Sequence, residues 1–421
     1  MNLEYFIARR SEQERQNREP SVMMRVATVA VALGIVVMII TIAVIGGFKT
    51  QIDSKLSGLS GHVVVGHVRG VDVSGQRSIE VSDALETVIE FDEAKRHSSF
   101  ISRGAIARGG DIIEGVVVKG VDSLYNREFF EGYMVEGSAP MFGRSETRRE
   151  LLISRELAND MEVNVGERLE LLFGDESGNI ERLTFKVGGV FSIGIGEVEK
   201  QMIIADIEAM RRVNGWDQGE VSGIEIWINR ADEASEIAEI LNKKIIFGAD
   251  TNLSDIELQS LDDVGVQSIE ELYPSLYDWM RTHDVNGVVV VTIMLIVALF
   301  NMTTALLILV LERTHMIGVL KALGMGNGAL RKIFLYRALS VTLRGLTWGN
   351  VVGIALCLIQ QRWGVLKLEA SGYMLSEVPI ELGVGWIVAL NMAVVVVILV
   401  VMILPTRMVA TISPDEIVKY K

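Results

Sequence analysis

The stretch ERTHMIGVLKALGMGNGALRKIF, Glu312–Phe334, decides how the rest of the chain must be arranged. It lies between two apolar runs, and it is basic. Short basic loops are retained on the cytoplasmic side of a membrane, so this one is expected to face inside. Its first half patterns as a short amphipathic helix, with Met316, Val319, Leu320 and Leu323 on one stripe and Glu312, Arg313 and Lys321 off it. Two readings of that helix stay open on the pattern alone. Either an energy-supplying partner grips the chain here, or the segment is a solvated connector on the bilayer surface. The glycine-rich GMGNG that follows, Gly324–Gly328, comes after a helix and not after a strand. It therefore reads as a hinge between two helices and not as a phosphate cradle.

Outward from this stretch, the apolar runs set the architecture. Val285–Leu311 has 27 residues without a charge, Val26–Phe48 has 23, and Leu382–Thr406 has 25. Each exceeds the roughly 20 residues that a helix needs to cross a hydrocarbon core about 30 Å thick. Gly345–Gln361, with 17, sits at the lower limit. Four membrane-spanning helices are expected. The first is too long for the apolar core of a cleaved signal peptide, and no A-x-A-like site precedes Lys49, so it is expected to be retained.

Charge fixes the orientation. Residues 1–25, 312–344 and 407–421 carry 5, 6 and 3 Lys+Arg, against 2 in the short loop 362–381. Both termini are therefore expected in the cytoplasm, and residues 49–283 outside it. The expected division is a cytoplasmic amphipathic segment over 1–25, a first span over 26–48, and an extracytoplasmic domain over 49–283. After it come a second span over 284–311, a cytoplasmic helix and loop over 312–336, and a third span over 337–361. A short outside loop over 362–381, a fourth span over 382–406 and a cytoplasmic tail over 407–421 complete the chain. Within the first segment, LEYFIARR (Leu3–Arg10) patterns as an amphipathic helix on the inner membrane surface.

The chain carries a formal charge of −14, but unevenly: residues 49–283 have 24 Lys+Arg against 43 Asp+Glu. So acidic a domain is soluble and is expected to bind no nucleic acid. His62–Val68, Glu114–Val121, Arg168–Phe173, Arg182–Phe191, Lys200–Ala205 and Gly223–Asn229 have strand-like content and alternation. Ser154–Met161, Ile207–Val213 and Ala231–Lys243 pattern as helices, and GDESGN (Gly174–Asn179) as a hairpin turn. The domain is expected to be α+β, in two lobes.

Within the membrane, Asn301 needs a hydrogen-bonding partner and is expected to face other helices. Gly345, Gly349 and Gly353 repeat at the four-residue spacing that lets a second helix approach closely. No chemistry beyond this is written in the chain. There is no Walker A motif, no G-x-S-x-G elbow, a single cysteine and no metal-binding spacing among the five histidines. Neither an enzyme nor a metal or other cofactor is expected on this chain.

Four segments carry a resemblance. LEYFIARR with LGIVVMIITIAVIGGFKTQI (Leu33–Ile52) and LSGHVVV (Leu59–Val65) form the first, and ELLISRELANDMEVNVGERLEL (Glu150–Leu171) the second. The third is FNMTTALLILVLERTHMIGVLKALGMGNGALRKIFL (Phe300–Leu335), and the fourth LPTRMVATISPDEIVKY (Leu404–Tyr420). With the one-plus-three helix layout, they resemble the MacB/FtsX-type ABC permeases, and among these the lipoprotein-releasing LolC/LolE family. The match departs at Arg337, where relatives carry an acid, and at the short GDESGN turn, where a longer carrier-binding hook would fall.

The resemblance implies a MacB-like periplasmic core inserted between helices one and two of an inner-membrane permease. It implies a separate ATPase dimer holding ATP and Mg, a second permease protomer (same or related chain), a lipoprotein substrate and a periplasmic carrier. It places ATPase coupling on Glu312, Arg313, Ile317, Gly318, Lys321, Ala322 and Gly324, and lining of the substrate path on Ile40, Val44, Gly47 and Phe48. A MacB-like efflux permease and an FtsX-like regulator of cell-wall hydrolases are the competing expectations.

Overall fold

A computed structural model describes residues 22–71, 74–75, 77–174, 178–249, 251, 253–312, 314–368 and 377–406. The helix expected over Leu3–Arg10, the centre of the GDESGN turn, Arg313 and the tail after Thr406 lie outside these residues. The chain divides into two compact units. Gln51–Asp278 belongs to one, and the residues up to Thr50, Trp279–Lys367 and those from Glu377 onward form the other.

Helix α1, Val22–Ser60, starts four residues before the apolar run and continues unbroken for 12 residues past Phe48. It leads into β1 (Val63–His67), β2 (Ile79–Glu80), α2 (Asp83–Ile89), β3 (Ala94–Gly109) and β4 (Ile112–Val121). Then follow β5 (Met134–Gly137), β6 (Glu150–Ser154), β7 (Arg168–Gly174), β8 (Ile180–Phe191), β9 (Met202–Asp206) and α3 (Ile207–Asn214). The last elements of this unit are β10 (Glu220–Val221), β11 (Gly223–Ile228), α4 (Ala234–Phe247) and β12 (Val264–Ser268), with single-turn helices in between. Short polar residues start the helices by accepting free backbone N–H groups: Ser82 for α2, Asp206 for α3, and Ser268 in a capping box with Glu271.

Ten strands form one sheet in the order β12-β1-β11-β3-β4-β9-β6-β8-β5, with β7 bridging β8 and β3. That bridge closes β3, β4, β9, β6, β8 and β7 into a ring. Alternate residues of the ring strands, among them Ala107, Val118, Ile153, Leu171, Phe185 and Ile203, belong to one buried cluster, so the ring is filled with side chains. The two lobes expected from the sequence are thus regions of a single sheet sharing one core. Strand β3, 16 residues long, was not expected, because its polar Ser98, Ser102 and Arg103 mask the alternation. All three are nonetheless buried in the sheet. Ser98 donates to Asp122, the Ser102 N–H donates to the Ser222 hydroxyl, and Arg103 donates to the Ser74 and Gly174 carbonyls.

The other unit is helical. Besides the first part of α1 it contains α5 (Pro274–Glu312, whose apolar run lies here), α6 (Thr314–Ala322), α7 (Asn327–Trp363) and α8 (Val384–Thr406). Helices α1, α5 and α7 are long and apolar enough to cross a membrane, and the 23-residue α8 is uncharged and predominantly apolar.

Candidate functional site

Three places carry side-chain arrangements that a soluble scaffold would not need: the short helix α6, the crossings of the membrane helices, and the seat of the end of α1 on the sheet.

Only Arg313 separates α6 from α5. The helix ends on Gly324, whose φ of +90° is open to glycine. The Gly324 N–H donates to the Lys321 carbonyl (2.9 Å) and the Met325 N–H to the Leu320 carbonyl (2.9 Å), the paired bonds of a Schellman stop. Gly326 then caps α7. The buried stripe differs from the expected one. Ile317 is fully buried, in a cluster with Val310, Leu330 and Phe334, whereas Val319 and Leu323 are 46% and 78% exposed. The cause is the neighbour: α6 folds back on the start of α7 and turns a different stripe towards it. Gly318 is buried, Lys321 half-buried, and Ala322 and Gly324 exposed. Exposed Val319, Ala322 and Leu323 thus form an apolar surface beside a lysine.

The glycine row of α7 lies against α1. A Cβ at Gly345 would stand 2.6 Å from Val31 Cγ1, one at Gly349 2.7 Å from Ile35 Cβ and 2.9 Å from the Ala32 carbonyl, and one at Gly353 3.3 Å from Ile39 Cδ1. Gly287 of α5 makes a similar approach, since a Cβ there would strike Ile45 Cδ1. The sequence reading missed Gly287, which stands alone without a small-residue repeat. It also missed a reciprocal amide pair. Asn350 of α7 donates to Asn391 of α8 (2.8 Å), Asn391 donates back (2.9 Å), and each gives its second N–H to its own helix, to Leu346 and Ile387. Asn301, in contrast, is exposed among the described residues of this chain.

Gly47 is buried under the segment after α7, where a Cβ would come within 2.6 Å of the Pro379 carbonyl group, so it seats a loop. The Glu381 N–H donates to the Ala43 carbonyl (2.9 Å), and the Glu381 carboxylate accepts from Thr50. Gln360 holds the same loop by bonding to Leu366 and Val378 (2.8–3.1 Å). Ile40 and Val44 are half-buried, and Phe48 meets Trp279 edge-on at 6.2 Å.

In the sheet unit, the end of α1 is held by charge. A helix leaves its last four carbonyls without internal partners. Here Ser57 O accepts from Gly61 N–H (2.8 Å) and Trp227 Nε1 (2.7 Å), and Leu59 O accepts from Lys119 Nζ (2.6 Å). Gly58 is overlaid by the Phe129 ring, which a Cβ would strike. Lys119 is also ion-paired with Glu225 across β3, both side chains being under 10% exposed. Burial pushes the Glu225 carboxyl upward from its ordinary range, against the pull of Lys119. A second buried carboxylate, Glu199, accepts from the N–H groups of Ile193 (2.6 Å) and Gly194 (2.8 Å), in a loop whose Gly194 carbonyl takes a bond from Lys55 of α1. Burial raises it too, more than the two backbone bonds lower it.

Two family models match the chain, one described as MacB-like periplasmic core domain over residues 26–244 and one as FtsX-like permease C-terminal over residues 288–414. The lipoprotein-releasing system transmembrane protein LolC of Xylella fastidiosa is 20% identical, covering 97% of this chain and 96% of its own. LolE of Haemophilus influenzae is 21% identical, covering 91% of each. Among solved structures, the periplasmic region of MacB from Actinobacillus actinomycetemcomitans aligns with 51% of this chain and 92% of its own at 12% identity, with a TM-score of 0.32.

Proposed function

Because the chain belongs to the family defined by the MacB-like periplasmic core domain, here joined to an FtsX-like permease region, we propose that it is a permease subunit of an ABC transporter that releases lipoproteins from the inner membrane. The observation that carries this is the likeness to LolC and LolE proteins along nearly the whole chain, sheet unit and helical unit alike.

In this reading α1, α5, α7 and α8 span the membrane, both termini are cytoplasmic, and the sheet unit is a periplasmic domain inserted between the first two spans. A separate ATPase dimer, with its ATP and Mg, docks on α6 and closes on ATP. Exposed Val319, Ala322 and Leu323 offer it apolar contact, and Lys321 with Glu312 and Arg313 offers charge. Helices α1 and α5, each 39 residues long, carry the motion outward. Lipoprotein enters from the outer leaflet between protomers and leaves on a periplasmic carrier. Three acyl chains of about 16 carbons would cost ~40 kcal/mol to expose to water, at ~0.8 kcal/mol per CH₂. The cargo must therefore stay in apolar contact throughout, and the ATPase supplies movement and not solvation.

The test is lipoprotein sorting. Depletion of the protein is expected to leave outer-membrane lipoproteins in the inner membrane of spheroplasts supplied with carrier. Unchanged release from depleted spheroplasts would overturn the reading.

A further inference from the structure

We infer that the edge of β3 along residues 95–97 takes up an extended acidic peptide as an added strand. The inference uses the sheet unit alone and stands apart from the transport reading.

Strand β3 outruns its neighbour β4. Their pairing starts with Phe100 opposite Val121 and ends with Gly109 opposite Ile112. Residues 94–99 therefore have a strand, β11, on one side only. On the other side the chain turns away at Asp122, whose carboxylate accepts from the Ser98 hydroxyl (2.7 Å), the Ser99 N–H (2.9 Å) and the Leu124 N–H (2.8 Å). Ser99 thus aims its N–H towards the side that β4 has left. Backbone groups repeat their direction at every second residue of a strand, so the His97 N–H and C=O point the same way. Among the described residues no strand meets them.

The space beside them is a cavity. Ile89 and Phe91 at the end of α2 line it, with Leu124 from the turn after β4 and with Lys95, Arg96 and His97 themselves. The same sheet closes its edge at β12. There Asn242 of α4 donates to the Val266 carbonyl (2.7 Å) and accepts from the Val266 N–H (2.9 Å), so a side-chain amide stands in for the missing strand. At His97 an open backbone pair lies against an apolar cavity instead. An added strand needs both, main-chain groups for affinity and a pocket for a side chain.

Charge selects the strand. Lys95 and Arg96, with His97 as a third cation when protonated, stand together in a region of 24 Lys+Arg against 43 Asp+Glu, residues 49–283. Glu90 is the one acid on the cavity wall. Arg96 lies over the Trp227 ring at 4.6 Å, and Lys95 and His97 form no ion pair among the described residues. A second copy joined edge to edge would set these cations against their own image, which is unfavourable. An acidic segment with a large apolar residue for the cavity fits both the charge and the shape.

The experiment titrates the full-length protein in detergent into a fluorescent, capped octapeptide of alternating glutamate and valine, read by anisotropy. Binding is expected, and Lys95→Glu should weaken it by roughly 2- to 30-fold. The same peptide with methylated backbone nitrogens should bind about tenfold or more weakly, because a strand ladder needs its N–H groups. With Cys357 replaced by alanine, Leu124→Cys should form a disulfide with a cysteine-ended peptide, and Ile256→Cys, at a position 81% exposed, should not. No binding, equal binding of the methylated peptide, or binding unchanged by Lys95→Glu would overturn the inference. So would a disulfide between two copies of the Leu124→Cys protein without peptide, which would assign the edge to a second copy.

Discussion

The two ends of helix α1 are held by opposite kinds of force. Across Val31, Ile35 and Ile39 it is gripped by dispersion alone, through glycines that bring α7 almost to backbone contact. At Ser57–Ser60 its carbonyls are gripped by an indole N–H and by the lysine of a buried ion pair. The difference follows from what each end must do. A contact held by shape loses packing when it shifts, because larger residues of α7 would then meet α1 where the glycines stand. The end on the sheet has one register only, since any shift takes the Leu59 and Ser57 carbonyls away from Lys119 and Trp227 in a dry interior. The helix is thus held by packing at one end and by hydrogen bonds at the other.

The largest expected effect is at the fixed end. Lys119→Met leaves Glu225 buried alone and Leu59 O uncapped, and should lower stability by about 3–5 kcal/mol in thermal unfolding of the solubilised protein. Replacing both partners by methionine should recover much of the loss. A single variant as stable as the parent would mean that the seat is not what fixes the helix.

At the end packed on α7, Gly349→Leu forces side-chain atoms into the Ala32 carbonyl and Ile35, and about 1–3 kcal/mol is expected from overpacking. Loss of that size without loss of the sheet unit's own unfolding step would sharpen the contrast. Asn391→Leu should cost less, about 0.6–1.7 kcal/mol, with Asn350→Leu/Asn391→Leu less harmful than the sum. Additivity in that cycle would remove the amide pair from the account.

The smallest effect is on pH dependence. Glu199 binds its proton more tightly in the folded protein than in the unfolded chain, because burial dominates. Its contribution to stability is therefore present at low pH and lost as pH rises from the ordinary carboxylate value through the raised folded one. Glu199→Gln should flatten that part of the profile. An unchanged slope would assign the titration to another group.

How legible this was from the chain depends on the kind of force. The apolar runs, the glycine row Gly345–Gly349–Gly353 and the stop at Gly324 are local patterns, and they can be read directly. Strand β3 was hidden because its polar residues are satisfied by Asp122, Ser222 and Ser74, each distant in sequence. The Lys119–Glu225 pair spans 106 positions and the Asn350–Asn391 pair 41, so neither leaves a spacing signal. The stripe of α6 was read as Met316, Val319, Leu320 and Leu323. A helix of nine residues has too few turns for its pattern to say which side a neighbour will cover.

The central claim is tested most directly by rebuilding release from purified parts. The chain, co-purified with its ATPase and any second permease and placed in liposomes with a triacylated lipoprotein, should transfer that lipoprotein to a soluble carrier only when ATP is hydrolysed. Lys321→Glu should leave assembly intact and abolish the transfer. ATP hydrolysis by the intact assembly with the lipoprotein still in the liposome fraction would contradict the account.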